Sequence, residues 1–467
     1  MDLYKDMSKQ LTSKELFEQA RLYAYDYIDH IKTMDVFPSE DALESLNEFN
    51  EDMPTQRSSA DDVLKMLHDR GSRGSVAYGG GKYFGFVNGG ALPIALASRW
   101  LSDTWDQNAA LNVMSPIASK LEEICEKWLV ELLGLPLGTV AGFVSGSSVA
   151  SLCAITAARN KLLLNQDYDV HAKGLFGAPK IRVVVGAHVH SSLWKVFSMV
   201  GIGKEMVEMV PVDHQGRMIA DKLPALDDKT LVIAQAGNVN GGAFDPLDEI
   251  CTIANKARAW VHIDGAFGLW AASSNKRNYL TKGIEKADSW SVDAHKTLNV
   301  PYDCGVVLCR DKTALVSALQ ANASYIEFSD KRDGMLYTPE MSKRARGIEL
   351  WAALRYLGKS GVSELVDGLC DHAVYFAEKL NENGFTVLND VVFNQILIQC
   401  DTSDMTTATL KNIQASGTCW CSGAVWFNEP VIRISVCSWQ TTKEDIDDCV
   451  KTFAECRKAA ERQLIGK

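Results

Sequence analysis

The residues best placed to do chemistry stand in SVDAHKTLNVPYDCG, residues 291–305, where His295 and Lys296 interrupt a buried-looking run. Lysine is rarely buried for packing alone. An amine near apolar surroundings loses basicity and becomes a nucleophile. Upstream, HIDGAFG at 262–268 reads as a strand ending on Asp264. A strand-end carboxylate followed by a lysine able to form a Schiff base suits pyridoxal 5'-phosphate (PLP). The pyridine nitrogen of that cofactor needs an acid partner and its aldehyde needs an amine.

Two more segments could serve the same cofactor. In GFVSGSSVAS, residues 142–151, a strand enters, Gly146 turns, and Ser147 and Ser148 open a helix. Backbone N–H groups and the helix dipole at such a start favour a phosphate, and the hydroxyls add donors. The pattern is neither GxxxxGK[ST] nor GxSxG. In GAHVHSSLWK, residues 186–195, His190 falls just past a strand, where an imidazole could stack on a flat ring. His188 and His190 form HxH, but neither a ligand set with zinc-like spacing nor HExxH accompanies them, so no metal is expected. Plainer readings exist for each: a serine-capped helix, a loop histidine, a capping aspartate at Asp264, a chance His-Lys pair. What sets the four segments apart is a common place at the carboxyl ends of strands, where ligands of open α/β sheets bind.

Positioning them requires a sheet, and the middle of the chain alternates strand and helix. Strand-like runs are Thr139–Val144, Ile181–Val185, Leu231–Gln235, Trp260–Ile263 and Gly305–Leu308. Helical stretches at Ser148–Leu164 and Leu247–Ala257 lie between them, which predicts a mostly parallel sheet covered by helices. Before this region, Thr12 and Glu15 suggest a capping box, followed by an apolar stripe from Leu16 to Ile31. That stripe must pack on the rest of the chain or on a partner subunit. Residues 71–93 are a loop rich in Gly and aromatics, suited to close backbone approach. After about Glu340 the pattern becomes α+β. A helix with Ile348, Trp351, Leu354 and Leu357 stops at Gly358, and a second ends near Asn383-Gly384. Strand-like segments follow at Val387, Val391–Ile398 and Val431–Val436, then a last helix capped at Thr441 or Thr442.

Bulk properties exclude several classes. The 467 residues suit two or three packed domains. A net charge of −11 without a basic run argues against nucleic acid or an anionic membrane as partner. The first residues carry no apolar run resembling a secretory signal, and the apolar stretch 141–158 is broken by Gly and Ser. The twelve cysteines are scattered and form no CxxC, which reads as reduced thiols in a cytoplasmic protein.

The series GSS, HSS, HIDGAFG and DAHK, in this order, resembles the group II PLP-dependent amino-acid decarboxylases, which include the glutamate and aromatic-L-amino-acid enzymes. The resemblance extends through KYFGFVNGGALP, SPIASKLEEI, GNVNGGAFDP, MSKRARG and VIRISVCSW. It implies the aspartate-aminotransferase fold (fold type I): an α/β domain on a mostly parallel seven-stranded sheet, with a smaller C-terminal α+β domain. Residues 1–110 would form a dimer-making helical segment and loop, 111–345 the PLP-binding domain, and 346–467 the small domain. The molecule would be a homodimer with shared active sites.

The same resemblance implies site roles. Lys296 would form the internal aldimine, Asp264 would pair with the pyridine nitrogen, Ala266 would pack beneath the ring and His190 above it. Ser147, Ser148 and His295 would hold the phosphate. Asn238 and Asn240 fall near the cofactor, where the family often has threonines. The expected reaction is decarboxylation of an L-amino acid to an amine and CO2 through a quinonoid, with a mobile-loop tyrosine as proton donor. Tyr337 is preferred over Tyr325 for that role, though a tyrosine packed to anchor the loop would look the same. Phe84, Phe86 and Asn88 are candidate substrate walls, favouring a flat side chain over an acidic one. They could equally be core. Lys82, Arg344 and Arg346 are the cations available for an acidic side chain, while Arg433 reads as structural or weakly substrate-facing. Transaminases, carbon–carbon lyases and decarboxylation-dependent synthases of this fold use the same segments, and a binding protein that has lost activity would not need to keep Lys296.

Overall fold

The computed structural model describes residues 2–320 and 331–465. Its centre is a seven-stranded sheet in the order Val140–Val144, Gly305–Cys309, Ser289–Asp293, Trp260–Asp264, Thr230–Gln235, Arg182–Gly186, Val207–Val210. Gly305–Cys309 runs antiparallel to both neighbours, and the remaining pairs are parallel. Both faces are covered, so the strands read as continuous apolar runs rather than alternating ones. Side chains still alternate between two cores. Val183, Val185, Leu231 and Ile233 face the helices Ser147–Leu164, Ser191–Met199 and Lys312–Leu319. Val184, Val232, Val261 and Ile263 face Pro116–Leu132, Leu247–Lys256 and Gly347–Glu382.

The last of these helices is bent at Gly358 (φ 59°, ψ −174°), a conformation that suits a residue without Cβ. It leads into a small domain with a five-stranded sheet in the order Tyr83–Phe84, Trp420–Trp426, Glu429–Ser435, Gln395–Gln399, Thr386–Val387. Ile396, Ile398, Ile432 and Ile434 pack there with Phe376, Phe385 and Phe453. Tyr83–Phe84, from the N-terminal part of the chain, is an edge strand of this C-terminal sheet, parallel to Trp420 and Cys421.

The first residues form two helices, Leu3–Ser13 and Glu15–His30, neither with a buried side chain. The expected capping box is absent. Thr12 lies inside the first helix and its Oγ1 donates to the Ser8 carbonyl (2.8 Å). The second helix instead starts from Lys14 in the left-handed region (φ 62°) without a side-chain cap. A capping box does open the final helix: Asp445 N–H donates to Thr442 Oγ1 (3.1 Å) and Thr442 N–H to Asp445 Oδ2 (3.0 Å). Among the described residues no helix is long and apolar enough to cross a membrane. All twelve cysteines are buried and free.

Candidate active site

Four strand ends converge at one edge of the large sheet. Ser289–Asp293 ends on a carboxylate 1% exposed, and the chain then turns through Ala294 and His295 to Lys296. Asp293 Oδ2 lies 3.1 Å from Lys296 Nζ and 3.6 Å from His295 Nε2, while its Oδ1 is buried without a hydrogen-bond partner. His295 Nδ1 accepts from the Cys304 N–H (3.1 Å), which fixes the tautomer with the proton on Nε2, facing Asp293. Burial holds the His295 pKa below the usual imidazole range, against the opposing pull of Asp293. Tyr302 packs on the His295 ring (4.3 Å between centroids) and donates its hydroxyl to Asn88 Oδ1 (3.0 Å).

The helix Ser147–Leu164 starts beside this cluster. Gly146 precedes it in extended conformation and has no side chain to cap it. Close approach explains the glycines here. A Cβ on Gly305 would stand 2.4 Å from Gly146 Cα, and one on Gly146 would stand 3.3 Å from His295 Cε1. Ser147 is half-buried and Ser148 exposed at the helix start.

Asp264 ends the neighbouring strand, 8% exposed. Its Oδ1 accepts from the Ala266 N–H (3.2 Å) and, at longer range, from Ser291 Oγ (3.4 Å). Among the described residues no hydrogen bond reaches its Oδ2. His190 caps the helix Ser191–Met199, with Nδ1 2.7 Å from Ser192 Oγ. Burial is the main cause of its lowered pKa, and the charges acting on it are those of Asp264, Lys296, Arg433 and Asp293. His188 points elsewhere, against Trp426 and Phe427.

Arg433, on the small-domain strand Glu429–Ser435, is 8% exposed. Its Nε donates to Ser422 Oγ (3.2 Å), and no carboxylate pairs with it among the described residues. Desolvation holds its pKa below the usual guanidinium range. Tyr83 lies close enough to feel that charge, though burial dominates and pushes the phenol up to about 12. Tyr83 stacks on Trp420 (5.2 Å), and Phe86 stacks on the same indole (5.5 Å).

Two side chains expected at the site are enclosed in packed cores. Phe84 is fully buried in the small-domain core against Phe376 (5.1 Å) and is no substrate wall. Strand residues alternate faces, so Tyr83, its neighbour, lies on the opposite face, stacked on Trp420. Tyr337 is 7% exposed in the sheet core with Leu315 and Val307, and the Arg332 guanidinium covers its ring (4.2 Å). So enclosed, Tyr337 matches the packed, loop-anchoring alternative. Tyr325 lies outside the described residues. The cations named for an acidic side chain are already engaged: Lys82 with Asp448 (3.3 Å), Arg344 with Asp303 (3.1 Å) and Glu349, and Arg346 with Asp303 (3.0 Å).

The groups at these strand ends fit a phosphorylated pyridine aldehyde. Asp264 Oδ2 is open to an N–H and the helix start to a phosphate, while Lys296 Nζ, paired with Asp293, is the amine for an aldehyde carbon. Asn238 Nδ2 is buried with no acceptor, in the loop that follows the strand pairing with Asp264. Its Oδ1 accepts from the N–H groups of Asn240 and Gly241, so the amide orientation is fixed.

An open α/β sheet with this cluster at its carboxyl edge defines a fold type I PLP-dependent enzyme. The chain belongs to the pyridoxal-dependent decarboxylases: the model of the pyridoxal-dependent decarboxylase conserved domain matches residues 44–399. The family, fold and cofactor expected from the sequence are therefore those found. Among curated proteins, the acidic amino acid decarboxylase GADL1 of Bos taurus is 30% identical over 330 residues, 68% of this chain and 62% of that protein. The Mus musculus protein of the same name is 29% identical over 353 residues, 72% of this chain and 63% of its own. The match thus spans less than two thirds of the length of these relatives. Among solved structures, Oryza sativa TDC with PLP and tryptamine superposes with a TM-score of 0.89 at 20% identity, covering 97% of this chain and 98% of that one. Mouse CSAD gives 0.86 at 22%, covering 96% and 98%.

Proposed function

We propose that this protein decarboxylates an L-amino acid with PLP bound at Lys296, and that an aromatic substrate is favoured over an acidic one. When bound to an amino acid, PLP supplies an electron sink that accepts the electrons of a bond to the α-carbon. Lys296 Nζ is the amine that holds the cofactor. Asp264 Oδ2 keeps a proton on the ring nitrogen, so the sink stays electron-poor without reorganisation. His190, whose pKa is lowered mainly by burial, would cover the ring face. Ala266 leaves room on the other side. Ser147, Ser148 and the first N–H groups of their helix take the phosphate, with His295 at its flank. Arg433 receives the substrate carboxylate and orients it, with Tyr83 and Phe86 offering aromatic surface alongside.

The observation that carries the substrate preference is the tally of cations. Arg433 is free of carboxylates among the described residues, whereas Lys82, Arg344 and Arg346 are bound to acids of this chain. One free cation serves the carboxylate common to all amino acids and leaves none of these for a second. The aromatic names among the structural neighbours agree with this preference, while the acidic names among the curated relatives do not.

The test is CO2 release from L-tryptophan, L-tyrosine, L-aspartate and L-glutamate by purified protein with PLP. Faster turnover of the aromatic pair is expected. Faster turnover of the acidic pair would overturn the preference, and no release from any amino acid would overturn the decarboxylase reading. Lys296→Ala should abolish both the visible absorption of the bound cofactor and turnover.

The N-terminal helices support a homodimer. Leu11 (67% exposed) and Phe17 (55%) lie on helices with no buried side chain, and a second copy of the chain would cover them.

A further inference from the structure

Three residues after Lys296, Asn299 is fully buried in the left-handed region (φ 56°). Its side-chain amide joins three segments that are distant in sequence. Oδ1 accepts from the Gly90 N–H (2.8 Å) and from the Trp439 N–H (3.0 Å). Nδ2 donates toward the carbonyls of Thr297 (2.9 Å), Cys437 (3.0 Å) and, more weakly, Lys296 (3.3 Å). Its backbone joins in: Asn299 N–H donates to Lys296 O (3.0 Å), and Leu92 N–H donates to Asn299 O (2.8 Å). The two accepted N–H groups fix which end of the amide is oxygen.

Each segment held by this amide carries part of the site. Gly90 ends the loop with Phe86 and Asn88. Its neighbour Gly89 lies so close to the Lys296 turn that a Cβ there would stand 2.1 Å from Lys296 O. Cys437 and Trp439 follow the strand with Arg433, and the Trp439 indole N–H also donates to Ala91 O (3.0 Å). The Lys296 turn is the third. Secondary structure alone would not require this amide. Gly90, Asn299 and Cys437 all lie outside the regular elements, so no sheet or helix ladder fixes their mutual distances.

We infer that Asn299 is a positioning residue for the reaction: it sets the Lys296 amine in register with both the substrate loop and the carboxylate-binding strand. The inference rests on the reading that Lys296 carries PLP. No other side chain has this donor and acceptor geometry. Aspartate would turn an oxygen toward three carbonyl oxygens. Glycine would keep the left-handed backbone but remove every side-chain bond.

The experiment compares wild type, Asn299→Asp and Asn299→Gly for bound PLP per subunit, the visible circular dichroism of the bound cofactor, kcat and KM. Misplacing a reacting group by about 1 Å costs on the order of a hundredfold in rate. The expected result is a kcat per bound cofactor reduced about ten- to a hundredfold, with a weakened visible dichroism band and a smaller change in KM. Wild-type dichroism and kcat per bound cofactor in Asn299→Gly would overturn the inference, even if thermal stability falls. Should Asn299→Asp fail to fold, Asn299→Gly decides alone. Should both fail to fold or to hold PLP, the amide is a folding residue and the inference is overturned. A wild-type protein without a lysine-bound chromophore would instead overturn the reading beneath it.

Discussion

A guanidinium taken out of water needs an anion nearby, and Arg433 has none among the described residues. Binding that is equal in ground and transition states lowers KM without raising kcat. Arg433→Met should therefore raise KM at least tenfold while lowering kcat much less, as read from initial rates over a range of substrate. An equal fall in kcat and kcat/KM would mean that Arg433 acts only in the transition state. At this scale the sequence was informative where a residue type is rare in its setting. Lys296, Asp264 and His190 could be picked out because charge and imidazole at strand ends are unusual, and in the structure each ends or follows a strand of the large sheet. Asp293, Asn299 and the free state of Arg433 were not legible. Aspartate and asparagine are common in turns, and whether a cation is free depends on acids far away in sequence.

Backbone proximity fixes the proposed cofactor cradle at the level of the elements. The start of strand Gly305–Cys309 touches the start of helix Ser147–Leu164 with no side chain between them. Gly305→Ala would place a methyl 2.4 Å from Gly146 Cα and 2.8 Å from Asp293 Oδ1, against backbone that cannot swing away. Overpacking of this kind costs about 1–3 kcal/mol. The PLP dissociation constant, measured by equilibrium dialysis, should rise about tenfold or more on that scale. Gly203→Ala, with nothing within 4 Å, should leave it unchanged. Five central strands were legible to within a residue because burial on both faces gives unbroken apolar runs. Ser289–Asp293 escaped because its polar side chains are buried in hydrogen bonds: Ser289 Oγ accepts from the Trp260 indole N–H (3.0 Å). Val207–Val210 is a short, partly exposed edge, and Trp420–Trp426 contains Ser422 and Gly423. Neither presents a run.

At the scale of the whole molecule, the exposed helices Leu3–Ser13 and Glu15–His30 are the least self-sufficient part of the fold. A stable dimer needs on the order of 1,600 Å2 of buried surface, and these helices offer an apolar stripe toward it. Wild-type protein should sediment at twice the chain mass, and the double variant Leu11→Asp, Phe17→Asp should shift toward monomer. Unchanged sedimentation would place the subunit contact elsewhere. The strand Tyr83–Phe84 has a different consequence. Its only strand partner among the described residues, at Trp420 and Cys421, is synthesised long after it. During translation the loop beyond Phe84 thus hangs from an unpaired edge while the central sheet can already close. That edge is closed only when the strand at Trp420 returns to meet it, so a ribosome stalled before Trp420 would carry a folded sheet with the Tyr83–Phe84 edge unpaired.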